Sequence, residues 1–169
     1  TTIELELSIP YASTCPCSAS LARQLIEQSM QQDFKDQTML SKDQLSQWLL
    51  SERGTTATAH GQRSHAYLKL KLAKTPDLPI KSVIDCVEAA LKTAVQAVVK
   101  REDEQEFARL NGQHLMFCED AARYIQQALS SHPSVMDFWI KVEHQESLHA
   151  HNAIAITTKG VPLGYAAQP

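Results

Sequence analysis

The sequence predicts an α+β fold: an antiparallel four-stranded sheet with two long helices on one face and a helical insertion after the first strand. Three observations carry that expectation. Apolar residues alternate in four separate stretches, near residues 2–9, 66–72, 136–142 and 149–158. Two longer stretches between the second and third strands repeat with the 3.6-residue period of amphipathic helices. There is no strand–helix–strand alternation and no glycine-rich phosphate loop, which sets aside the parallel nucleotide-binding folds.

Composition bounds the rest. A chain of 169 residues with 43% hydrophobic and 21% charged residues supports one ordinary domain with a core. A net charge of -3, with 16 basic residues set among 19 acidic ones, leaves no electrostatic footprint for nucleic acid or a membrane surface. No apolar run approaches the roughly 18 residues of a membrane span, and no secretory signal is visible, so a cytoplasmic protein is expected. Four cysteines, Cys15, Cys17, Cys86 and Cys118, are too few for a disulfide framework, and reduced thiols follow.

The first strand alternates Ile3, Leu5, Leu7 and Ile9 against Thr2, Glu4, Glu6 and Ser8, and Pro10 is expected to stop it. The chain thus opens inside a strand, as a fragment of something longer would. Ser13-Thr14-Cys15-Pro16-Cys17-Ser18 follows, placing two thiols at a strand-to-helix junction, where they serve either as chemistry or as small buried hydrophobes. A helix over residues 20–30 comes next. A second should start at Ser41, whose hydroxyl with Gln44 makes a capping box ahead of Leu45, Trp48 and Leu49. Trp48 on that stripe reads as packing. Residues 52–59 form a loop delivering His60-Gly61-Gln62-Arg63-Ser64 to the second strand, with Ala66, Leu68, Leu70 and Leu72 on one face. Thr75-Pro76 ends that strand.

Pro79 opens a helix expected to continue to Lys100, with Cys86 inside it as inert core. Residues 101–106 read as an acidic turn, Asn111-Gly112 as a break, and residues 113–129 as the second long helix. Glu119 lies at the margin of that helix's apolar stripe, so its carboxylate needs a partner: a salt bridge to Arg123, or a ligand. The third strand covers residues 136–142. The fourth is expected over 149–158, with His149 and His151 on one face.

Several element ends thus offer one metal-ligating or acid–base group each. Cysteine, histidine and carboxylate from separate elements are the usual donors of a catalytic metal centre. Spacing alone leaves their convergence open.

Five ordered blocks carry a resemblance. Thr14-Cys15-Pro16-Cys17-Ser18, Ala59-His60-Gly61-Gln62-Arg63-Ser64, Lys100-Arg101-Glu102-Asp103-Glu104, Phe117-Cys118-Glu119-Asp120 and Glu146-Ser147-Leu148-His149-Ala150-His151-Asn152 span nearly the whole chain. Together they resemble the signatures of the GTP cyclohydrolase IB family. The resemblance implies the tunnelling fold and a single module over residues 1–169, with the insertion at about 19–58. It implies a partner module before this one, and a homo-oligomer with active sites at subunit boundaries.

It also implies hydrolysis of GTP to 7,8-dihydroneopterin triphosphate and formate, at the entry to folate synthesis. Carried over by motif, Cys15, His60 and Glu104 would hold a divalent metal, whether zinc, manganese or iron(II). Glu119 would anchor guanine. Cys17, Glu146 and His149 would be catalytic, and His151 would support them. Arg63, Lys100 and Arg101 are chosen as triphosphate contacts on charge grounds. The rival readings are another tunnelling-fold enzyme, such as the nitrile reductase of queuosine synthesis, and a non-catalytic purine-binding module.

Overall fold

The computed structural model describes residues 2–74 and 76–168. The chain divides into two compact units, Thr14–His60 and a larger one made of Thr1–Ser13 with Gly61–Pro169.

The larger unit is a four-stranded antiparallel sheet in the order β1-β2-β3-β4, built from β1 (Ile3–Thr14), β2 (Gly61–Leu72), β3 (Val135–Gln145) and β4 (Ala153–Thr158). Alternation in β2 and β3 sends Ala66, Leu68, Leu70 and Leu72, and Phe138, Ile140 and Val142, into one buried layer. Helices α3 (Ile80–Leu91) and α5 (Cys118–Ser130) close that layer with Val83, Val87, Leu91, Ala121, Ile125 and Leu129. Phe138 is fully buried at its centre. Phe138→Ala is expected to cost about 3–5 kcal/mol and lower the unfolding midpoint by roughly 10 °C. An unchanged midpoint in a calorimetric scan would contradict this packing.

The boundaries differ from expectation at several places, among them the start of α5 at Cys118 rather than at residue 113. Pro10 does not stop β1, which continues to Thr14. β1 is an edge strand; Ala12 donates its N–H to Thr93 O on the side away from β2. Pro10, two residues earlier, directs its nitrogen to that same free edge, where no ladder bond is lost.

The helix from Pro79 ends at Leu91 rather than Lys100, with Lys92 in the left-handed conformation at φ 64°. Beyond it Thr93 Oγ1 donates to Ala12 O at 2.6 Å, and Ala94 bridges Tyr11. Pairing with β1 outweighs the continuing apolar period.

The acidic turn is instead the start of α4 (Arg101–Gln113), which runs through Asn111 and Gly112. Glu102, Asp103 and Glu104 occupy its first turn, where the amide end of the helix favours negative charge, and Asp103 accepts the Lys100 N–H at 2.7 Å. Finally, β4 begins at Ala153, and His149 and His151 lie in the turn before it rather than on a strand. Thr75, expected with Pro76 to end β2, lies outside the described residues.

The smaller unit holds α1 (Pro16–Asp33), α2 (Lys42–Leu49) and a 3-10 helix (Glu52–Thr55). The predicted capping box is present: Gln44 N–H donates to Ser41 Oγ, and Gln44 Oε1 accepts from Ser41 N–H. Trp48 is buried and donates its indole N–H to Asp33 at 2.8 Å. Arg53 grips the same carboxylate through two nitrogens, at 2.9 and 2.8 Å. Those hydrogen bonds, Arg53 first and Trp48 second, push the Asp33 carboxyl down to about 2. Gly54 is required there, since a Cβ would meet Trp48 O at 2.5 Å.

Candidate active site

In the smaller unit, Cys15 is the residue before α1, and Pro16 pre-sets the first helical position. Cys15 N–H donates to His60 O at 3.4 Å, and His60 N–H donates to Ser18 Oγ at 3.2 Å. This clasp joins the two ends of the unit and holds a thiol residue beside an imidazole residue. Cys17 is exposed in the first turn of α1. Thiolate and imidazole are donors suited to zinc and to the later first-row divalent metals. Among the described residues, no three His, Cys, Asp or Glu side chains group closely enough to hold an ion.

In the larger unit a second set forms around His144. Tyr11, fully buried on β1, meets His144 Nε2 at 2.8 Å, with the rings edge-to-face at 5.8 Å. The two strands are separated by β2, where Ser64 stands opposite His144. Burial keeps the Tyr11 phenol protonated far beyond its ordinary range and lowers the pKa of His144. The carboxylates of Glu146 and Glu119 act on His144 in the opposite sense. Glu119, the second residue of α5, thus shares one electrostatic neighbourhood with Glu146 at the end of β3.

Glu119 is held ionised below the usual carboxylate range, by its own backbone N–H and then by the Cys118 thiol, which donates to it at 3.2 Å. Burial, followed by that carboxylate, pushes the Cys118 thiol up to about 12. Cys118 is therefore a fixed donor and not a nucleophile. The partner of Arg123 is Asp120, at 3.0 Å.

The turn over residues 146–152 is tied by Asn152, which accepts the Glu146 N–H at 3.1 Å and donates to Glu143 at 2.8 Å. His149 and His151 stack within it, centroids 5.8 Å apart. Lys100, Arg101 and Glu104 sit together, exposed, at the start of α4. Arg63 is exposed on β2 opposite Gln145.

Each unit therefore gathers part of the expected set: Cys15, Cys17 and His60 in the smaller, Glu119, Glu146, His149 and His151 with the α4 cluster in the larger. The sequence reading gave no role to Tyr11 or His144, and none to Gln62 or Asn152 within the quoted blocks. Their signal was present: Tyr11 continues the inward parity of Ile9, and His144 that of Val142, so both are polar residues on a core face.

The architecture defines the class, an α+β protein of tunnelling-fold type. A sequence model of the family described as type I GTP cyclohydrolase folE2 matches residues 1–155, and the chain belongs to that family. It is 53% identical to the "GTP cyclohydrolase FolE2" of Hydrogenovibrio crunogenus over 98% of this chain and 53% of that one. With the protein of the same name from Pseudomonas putida it shares 54% identity over 90% of this chain and 51% of the other. With that of Pseudoalteromonas translucida the figures are 52%, 97% and 54%. The chain spans about half the length of the curated relatives it matches.

Proposed function

We propose that the protein hydrolyses GTP to 7,8-dihydroneopterin triphosphate and formate, in the cytoplasm, as a homo-oligomer whose active sites lie at subunit boundaries. Family membership and the names of the relatives support the reaction class. The observation that carries the assignment to this chain is the pair Glu119 and Glu146, two carboxylates acting on one buried histidine.

Glu119 anchors guanine. Ionised, it is acceptor-only, and its two oxygens match the adjacent N1–H and exocyclic N2–H donors of the base. The Cys118 thiol and the helix amides hold it in that state. Glu146 orients the water that opens the imidazole ring, with its backbone pinned by Asn152. His149 transfers protons, with His151 stacked behind it. Cys17, exposed beside Cys15, exchanges a proton during ring opening. Arg63, Lys100 and Arg101 meet the triphosphate.

The donor chemistry of Cys15 and His60, clasped side by side, fits a divalent cation, zinc, manganese or iron(II). Glu104 completes the set in the assembled oligomer. When bound, that cation supplies Lewis acidity for hydrolysis near neutral pH.

The test is GTP turnover by protein reconstituted with each metal, scored for formate and fluorescent pterin. It should be run on the 169-residue chain and on the chain joined to the additional length that the relatives carry. Turnover by the longer form supports the reading. Absence of formate from both forms, with all three metals, overturns it.

A further inference from the structure

β2 and β3 pair antiparallel, with Ser64 opposite His144 and Arg63 opposite Gln145. Gln62 precedes Arg63 and Glu146 follows Gln145, so both flank the last paired position at this end of the ladder, and Gln62 has the parity of Ser64. Gln62 is 7% exposed. Its carbonyl is matched, because Ser13 Oγ donates to Gln62 Oε1 at 3.2 Å while Ser13 and Ser64 hydroxyls meet at 2.8 Å.

Its amide nitrogen is not matched. Gln62 Nε2 and Glu146 Oε2 are both buried without a hydrogen-bond partner. A buried donor and a buried acceptor in neighbouring register positions, each unmatched, are costly to the fold. The amide's orientation follows from its one hydrogen bond: the carbonyl is the group that accepts from Ser13 Oγ.

We propose that Gln62 is a water-positioning residue: its Nε2 donates to the oxygen of a water whose own hydrogen is accepted by Glu146 Oε2. A single water satisfies both groups, since its oxygen accepts while one O–H donates. It keeps one lone pair and one hydrogen for a substrate. That this water is a reactant rests on the GTP hydrolase reading; the site itself rests on the two side chains. Ser13 and Ser64 fix the Gln62 carbonyl, and Asn152 fixes the Glu146 backbone.

High-resolution structures of the full protein, wild type and Gln62→Met, read the water directly. In the wild type, solvent should lie within hydrogen-bond distance of both Gln62 Nε2 and Glu146 Oε2, and it should disappear in Gln62→Met. That variant should lose about 10–100-fold in kcat with KM for GTP changed less than about threefold, the split expected of a group acting on water.

Absence of shared solvent in the wild type overturns the proposal. So does a kcat of Gln62→Met within about twofold of the wild type. If the protein shows no GTP turnover but the water is present and lost in Gln62→Met, the hydrolase reading fails and the site stands.

Discussion

Cys15→Ser and His60→Ala are each expected to lower GTP turnover by roughly 1,000-fold and to leave purified protein without stoichiometric metal. The magnitude follows from what a Lewis acid contributes at the reacting centre, several kcal/mol, at about 1.4 kcal/mol per decade of rate. The structure makes the loss specific to the side chains. The clasp between Cys15 and His60 uses Cys15 N–H, His60 O and His60 N–H with Ser18 Oγ, and neither substitution touches those atoms. The smaller unit is stabilised elsewhere, by Trp48, Asp33 and Arg53. Helical content should therefore persist while metal content, read by elemental analysis, falls. A variant that keeps both metal and turnover would remove Cys15 or His60 from the ligand set.

Glu119→Gln should reduce kcat/KM for GTP by about 100–1,000-fold. The substitution preserves shape but puts an amide donor where the purine offers two donors, so at least one group is left desolvated and unpaired. Each desolvated polar group left unpaired costs about 1–3 kcal/mol, and more where a hydrogen bond to a charge is lost, which reaches that range. It also leaves a single carbonyl oxygen to accept from both the base and the buried Cys118 thiol. Cys118→Ser, which restores a better donor to the same carboxylate, should leave kcat/KM within about threefold of wild type. Steady-state kinetics with GTP read both. Equal kcat/KM for Glu119→Gln and wild type would mean that guanine is recognised elsewhere.

Much of the fold was legible in the residues. Ala66 to Leu72 and Phe138 to Val142 alternate so regularly that one face had to be buried, and β2 and β3 use those faces. The Ser41–Gln44 cap marked a helix start from two side chains. Where reading failed, a distant segment had intervened. Val95 and Val98 extend an apolar helical period, yet Thr93 and Ala94 leave the helix to pair with Ala12 and Tyr11. Pro10 looked like a stop because nothing in the local sequence says that β1 has a free edge. The acids at the head of α4 resembled a solvated corner, although negative charge in a first turn equally announces a helix.

The candidate site divides along the same line. Residue type and local spacing named the thiols, His60, Glu119, Glu146 and the two turn histidines, because chemistry that needs soft donors and carboxylates needs those side chains whatever the fold. Spacing could not say that Tyr11 reaches His144 across an intervening strand, that both carboxylates act on that histidine, or that Gln62 and Glu146 flank the same end of the β2–β3 ladder. The longest of those relations is set by strand order and register, which bring Tyr11 to His144 across 133 positions of the chain. Local periodicity reports which face a side chain takes. Only the assembled sheet decides which other side chain it meets there, because that depends on free energies summed over the whole core.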